Sequence, residues 1–177
     1  MKNIVLCGFM GCGKSTVGKM LAARCGMTFV DMDQYIEEQA GRTVSELFAD
    51  KGEEGFRAME HDACVALGAQ SGLVIATGGG AVLRQENVTA LAQNSVIVWL
   101  KVSASCVLSR LQHDTTRPLL QRGDKEKAVL TLLCEREPLY ARAASLTVDA
   151  EHPSIDVAFA IENMLAEHGF FCSNVKS

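Results

Sequence analysis

The sequence predicts an α/β fold, a three-layer sandwich in which a five-stranded parallel sheet is covered by helices. Three observations carry that expectation. Short apolar segments alternate with longer segments of helical spacing along all 177 residues. The short segments are mostly apolar and free of proline, as strands buried on both faces are. The run Gly8-Phe9-Met10-Gly11-Cys12-Gly13-Lys14-Ser15 follows the first apolar segment directly and precedes the first helical one. In such a fold, ligands bind beyond the carboxyl ends of the strands.

The elements follow in order. The first strand is expected over residues 2–7 and the first helix over 15–25. The second strand covers 28–31, and Asp33 is placed to cap a helix over 34–40. Helices over 44–50 and 53–70 follow Thr43 and Gly52. The third strand, 73–76, runs into Thr77-Gly78-Gly79-Gly80. The fourth strand covers 95–100, and Ser103 caps a helix over 103–111. A helix over 125–142 contains Pro138, where a kink or break is expected. The fifth strand covers 144–148 and the last helix 154–168, and residues 172–177 read as a frayed end. Residues 112–124 break the alternation with polar residues, one proline, one glycine and two arginines. A loop of that length in a single domain is a lid, a binding loop or a plain solvated loop. With Arg110, Arg117 and Arg122 at hand, a lid that closes over phosphates is favoured.

Composition narrows the function. Hydrophobic residues make up 48% and charged residues 21%, with a formal charge of −4. That balance gives no basic footprint for nucleic acid or an anionic membrane. No apolar run reaches the ~20 residues needed to span a bilayer, and the phosphate loop interrupts the amino-terminal apolar run before any signal-type cleavage site. The seven cysteines form no C-x-x-C pair and are odd in number, which fits reduced thiols in the cytoplasm rather than a disulfide framework or a metal site. Cys12 lies inside the loop at a helix start, so its alkylation is expected to block nucleotide binding.

The G-x-x-x-x-G-K-S run is a cradle for phosphates. Its glycines let the backbone approach a ligand, successive N–H groups form an anion nest, and the helix dipole adds positive potential. Lys14 reaches the β and γ phosphates, and the Ser15 hydroxyl ligates Mg²⁺. A switch GTPase needs D-x-x-G and N-K-x-D elements, which the chain lacks, whereas a small-molecule kinase needs a second pocket and a basic lid. Asp31 and Asp33 end the second strand; if strand geometry continues, both carboxylates project to one side. One can support Mg²⁺ and the other can orient or deprotonate an attacking hydroxyl. No acidic residue follows the third strand, which favours Asp31 for the metal. Three glycines there allow close backbone approach to a ligand or form a tight turn. Arg57 and Glu60 are i, i+3 neighbours, so Glu60 can hold the guanidinium for a carboxylate, or the two form a surface ion pair.

Together these segments resemble the shikimate kinase family. The resemblance rests on residues 8–15, on Phe29-Val30-Asp31-Met32-Asp33, on Gly52-Glu53-Glu54-Gly55-Phe56-Arg57 with Glu60, on residues 77–80, on Arg117-Pro118-Leu119 and on Arg136 with Leu139-Tyr140. It implies one domain over 1–177 with the fold of nucleoside monophosphate kinases, strand order 2-3-1-4-5. It also implies a substrate-binding helical region at about 33–61 and a lid at about 112–124. The implied reaction moves the γ-phosphoryl of ATP to the 3-hydroxyl of shikimate, a step of aromatic amino-acid biosynthesis. Lys14, Asp33 and Arg117 are then catalytic, with Asp33 as candidate base. Gly11, Cys12, Gly13, Lys14, Ser15, Thr16, Arg110, Arg117 and Pro153 bind ATP or ADP. Arg57 and Arg136 grip the shikimate carboxylate, with Gly79 and Gly80 beside it, and Ser15 and Asp31 support Mg²⁺. The expected protein is a cytoplasmic monomer with neither nucleic-acid nor membrane partners. A gluconate kinase of the same fold and a non-catalytic nucleotide-binding module are the rival readings.

Overall fold

A computed structural model describes residues 1–110 and 125–170. Strand β1 (Asn3–Cys7) is buried at every position and lies at the centre of the sheet, between β3 (Leu73–Ala76) and β4 (Ser95–Lys101). The edges are β2 (Thr28–Asp31) and β5 (Leu146–Asp149). All pairings are parallel, in the order β2-β3-β1-β4-β5 that the resemblance implies. The expectation of strands buried on both faces holds for the inner three. In β5, buried Leu146 and Val148 alternate with exposed Thr147 and Asp149, and β2 is half-buried with Thr28 exposed. An edge strand lacks one neighbour, so part of it meets solvent.

A buried side chain fixes the amino end of the sheet. Asn3 Nδ2 donates to the carbonyls of Gln70 (2.8 Å) and Leu67 (3.3 Å), and its Oδ1 accepts from the Leu73 N–H at 2.9 Å. Every polar atom of the amide is thus used, as burial demands.

Helix α1 (Lys14–Cys25) follows the glycine loop and packs against α7 (Ser154–Glu167). Helix α2 (Met32–Ala40) starts at once after β2. Its cap is Asp31, not Asp33, whose carboxylate belongs to the first turn. Two aspartates two positions apart offer the same capping chemistry, and the register of the chain selects the first. Helix α3 (Val44–Gly68) opens with a capping box between Thr43 and Glu46 and turns at Gly52, as the separation at Gly52 anticipates.

After β3 comes a 3₁₀ turn (Ala81–Leu83) and then α4 (Gln85–Ala92), a helix the sequence reading passed over. It spans eight residues and has no side-chain cap, so it carries few of the usual start signals. Buried Asn87 anchors it: Nδ2 donates to the Ala81 carbonyl at 2.8 Å, and Oδ1 lies 2.8 Å from His61 Nδ1 on α3. Helix α5 (Ala104–Arg110) has the expected Ser103 at its start, with Ser103 Oγ accepting from the Cys106 N–H at 3.3 Å. Helix α6 (Lys125–Ala143) continues through Pro138, so of the kink or break expected there the break does not occur. None of the described helices is long and apolar enough to cross a membrane.

Candidate active site

The carboxyl ends of β1 and β3 carry two glycine-rich turns, and a cavity of about 280 Å³ opens between them. It is lined by Gly11, Gly13, Lys14, Ser15 and Thr16 on one side and by Thr77, Gly78 and Gly79 on the other, with Asp31 and Asp33 below. Lys14 folds across the loop that precedes it. Its ammonium donates to the carbonyls of Gly8 (2.9 Å) and Phe9 (3.1 Å) and lies 3.6 Å from Cys12 Sγ. The charge therefore sits over the mouth of the nest, where a phosphate chain would meet it. Cys12 is only 1% exposed, so a thiol reagent reaches it only if the loop opens.

Asp31 joins the glycine loop to the start of α2. Ser15 Oγ donates to Asp31 Oδ2 at 2.7 Å, and the Asp33 N–H donates to Asp31 Oδ1 at 3.1 Å. Strand geometry does not continue to residue 33, because α2 begins at Met32. Both carboxylates nevertheless line the same cavity, since the tight strand-to-helix turn keeps them together. The pair Ser15 and Asp31 offers two hard oxygens at one point. That donor set suits Mg²⁺, which takes one or two protein oxygens and completes its shell with phosphate and water.

A second cavity, about 350 Å³, is lined by Glu53, Glu54, Arg57, Gly80, Leu83, Arg84 and Arg136, so consecutive Gly79 and Gly80 border the first and the second cavity. Arg57 is fixed rather than swinging. Its Nη1 donates to Glu60 at 2.8 Å, and Nη2 lies 3.5 Å from Glu53. Glu60 is 1% exposed, so this is no surface ion pair. Burial pushes the Glu60 carboxyl above its ordinary value; Arg57 opposes that shift and the charge of Asp33 adds to it. Arg136 extends from α6 over the Phe9 ring, 5.9 Å from its centroid, and reaches the same cavity. Three arginines line this space; Arg84 is bound to Glu86 at 3.1 Å, and the guanidiniums of Arg57 and Arg136 are the pair that favours a bound anion.

Glycine is required here by room. A Cβ on Gly78 would stand 2.9 Å from Asp33 Oδ1 and 3.1 Å from Glu60 Oε1. One on Gly80 would stand 2.6 Å from Arg57 Nη1. Tyr140, which the sequence marks only as part of a motif, takes a place in the site: its buried hydroxyl donates to the Gly79 carbonyl at 2.7 Å. Thr77, at the head of the quoted glycine segment, donates from Oγ1 to the Leu6 carbonyl at 3.2 Å. Arg84 also lines the second cavity, and no spacing pattern marks it.

Arg110 bridges the nucleotide side. Nη1 donates to the Gly11 carbonyl at 3.2 Å and Nη2 to the Ala150 carbonyl at 2.9 Å. It thereby ties the phosphate loop to the turn that ends at Pro153, the exposed residue before α7. Arg117 and the stretch 112–124 lie outside the described residues.

Comparison with known proteins gives the family and the fold. A family model for shikimate kinase matches residues 10–166. The chain is 44% identical over 168 residues to the shikimate kinase of Geobacter sulfurreducens, covering 94% of this chain and 92% of that protein. It is 44% identical over 156 residues to that of Caldanaerobacter subterraneus subsp. tengcongensis, covering 88% and 91%. Among solved structures it is similar to shikimate kinase from Acinetobacter baumannii in complex with shikimate, with a TM-score of 0.89, 36% identity and coverage of 99% and 96%. A gluconokinase from Sinorhizobium meliloti superposes with a TM-score of 0.57 at 19% identity, which shows a shared fold alone.

Proposed function

The chain belongs to the shikimate kinase family, and from that premise we propose that it transfers the γ-phosphoryl group of ATP to the 3-hydroxyl of shikimate. The products are shikimate 3-phosphate and ADP. One observation carries the site assignment. The phosphate cradle and the two-arginine cavity are separate spaces that meet at a single glycine turn, with Asp33 beside their junction.

Phosphoryl transfer asks a protein mainly to position its reactants and offset charge. In this reading the backbone of residues 11–16 and the Lys14 ammonium hold the triphosphate. Arg117 adds a further cation, and Arg110 with the turn at Pro153 borders the adenine. Ser15 and Asp31 would hold Mg²⁺, which when bound supplies positive charge to the β and γ oxygens. Arg57 and Arg136 take the shikimate carboxylate, and Gly79 and Gly80 approach the ring closely. The acid's hydroxyls then lie toward Asp33, whose carboxylate accepts a hydrogen bond from the attacking 3-hydroxyl and takes its proton as the O–P bond forms.

Selectivity follows from the arginine cavity. A carboxylate adds charge-assisted partners to Arg57, already held by Glu60, and to Arg136, and an analogue without one forgoes them. A gluconate kinase is not favoured, since the gluconokinase likeness is confined to the fold. We read the protein as a monomer, and light scattering tests that. A cytoplasmic enzyme accords with the reduced-thiol composition, and fractionation tests that.

The deciding experiment is a coupled ADP-release assay with shikimate, gluconate and nucleoside monophosphates as acceptors. ADP release dependent on shikimate and at least about 10²-fold faster than with the others is expected. Equal rates with gluconate, or ATP binding without acceptor-dependent turnover, would overturn the assignment.

A further inference from the structure

Tyr140 is fully buried in α6, and no step above uses it. Its ring packs against Trp99 with centroids 6.1 Å apart, which fixes where the hydroxyl points. That hydroxyl donates to the Gly79 carbonyl at 2.7 Å, and the Arg136 guanidinium, one helical turn earlier on α6, acts electrostatically on the phenol oxygen. One phenol therefore adjoins two of the groups assigned to the acceptor acid.

The significance lies in the peptide planes of the turn. Three consecutive glycines give a backbone with little resistance to rotation. Each plane needs its own anchor. The Gly78–Gly79 peptide is held by the Ala81 N–H, which donates to the Gly78 carbonyl at 3.2 Å. The Gly80–Ala81 peptide is held by the Leu83 N–H, which donates to the Gly80 carbonyl at 3.1 Å. Between them, the Gly79 carbonyl meets Tyr140. A trans peptide is planar, so fixing that carbonyl also turns the Gly80 N–H to the opposite side.

We propose that Tyr140 is a positioning residue for the acceptor acid: its hydroxyl locks the Gly79–Gly80 peptide and seats the Arg136 guanidinium at the wall of the two-arginine cavity. Burial pushes the phenol up to about 12, so its proton stays available to the carbonyl across the physiological range. The inference rests on the acceptor site proposed above, and its test separates the two.

Tyr140→Phe keeps the ring and its packing and removes one oxygen. The expected result is a KM for shikimate raised about tenfold, the scale of one buried hydrogen bond left unmade, with KM for ATP and kcat within about twofold. Combining it with Arg136→Ala should give less than the product of the two single effects, because both act through one contact. An unchanged KM for shikimate in Tyr140→Phe, or independent effects in the double variant, overturns the proposal. So does a variant that fails to fold or loses affinity for both substrates together, since the hydroxyl is then a determinant of the fold. Arg136→Ala alone reads the underlying site. If it leaves shikimate affinity unchanged, the acceptor assignment fails and this inference falls with it; if it weakens binding while Tyr140→Phe does not, only the inference fails.

Discussion

The two glycine turns at the carboxyl ends of β1 and β3 are neighbours built on different physics. In the first, glycine serves the backbone: Gly11 and Gly13 have φ of +77° and +95°, a region that side chains with a Cβ rarely enter. In the second, none of Gly78, Gly79 and Gly80 has such a φ among the described residues, and glycine serves space for the carboxylates of Asp33 and Glu60 and the guanidinium of Arg57. The first turn also holds itself, through Lys14 donating to Gly8 and Phe9 within seven residues of chain. The second is held by α2, α3 and α6, which bring Asp33, Arg57 with Glu60, and Tyr140 with Arg136. Gripping a triphosphate is thus a local property of the chain, and recognising an acid acceptor is a tertiary one.

The largest effect should come from breaking the self-contained turn. Lys14→Ala is expected to lower kcat by about 10³-fold or more, while shikimate still binds in a calorimetric titration. Loss of shikimate binding as well would mean that the turns are not separable. Next comes the group at their junction. Asp33→Asn should lower kcat by about 10²-fold if the carboxylate acts as a base; a change confined to KM would make it a binding residue only.

A matched pair of alanines sharpens the contrast further. Gly13→Ala meets open space, with Val17 Cγ2 at 3.9 Å, but is forced into the left-handed region. Such strain costs roughly 1–3 kcal/mol, so KM for ATP should rise about tenfold with KM for shikimate nearly unchanged. Gly80→Ala has no strain to meet, yet its methyl must displace the end of the Arg57 side chain. A flexible side chain yields without unfolding the protein, so this variant should keep its melting temperature and its KM for ATP but bind shikimate about tenfold more weakly. Parallel effects of the two alanines on both substrates would erase the distinction.

The smallest effect is a pH dependence confined to the second turn. The folded protein raises the Glu60 pKa above 4.5, chiefly by burial. Stability from this group is therefore fully present below 4.5 and lost as pH rises through the raised value. Binding runs the other way, because protonated Glu60 gives up the charge that fixes Arg57. The KM for shikimate should rise a few-fold, on the order of one weakened charge-assisted bond, as pH falls through that raised value. The KM for ATP should not follow, and Glu60→Gln should flatten the profile. A limb that persists in Glu60→Gln would assign the titration elsewhere.

Much of this was legible in the chain. Residues 3–7, 14–25 and 73–76 fall within about one residue of their expected bounds, because apolar runs and a glycine-lysine-serine signature are local signals. The role of Glu60 in fixing Arg57 was also readable, since an i, i+3 pair needs only a helix. Helix 85–92 was not legible: its stability comes from Asn87 bonding to Ala81 and His61, contacts that span up to 26 residues. Nor was the choice of Asp31 over Asp33 as the cap of α2.

By itself, then, the sequence determined the alternation of strand and helix and the phosphate cradle, because each depends on conformations and hydrogen bonds made within a few residues. Only the tertiary structure decided which strands form the sheet edges, why a side chain at positions 78 and 80 would crowd Asp33, Glu60 and Arg57, and that Tyr140 meets Gly79. The last of these joins residues 61 positions apart, and no local preference encodes a contact that forms only once α6 has packed against the turn after β3.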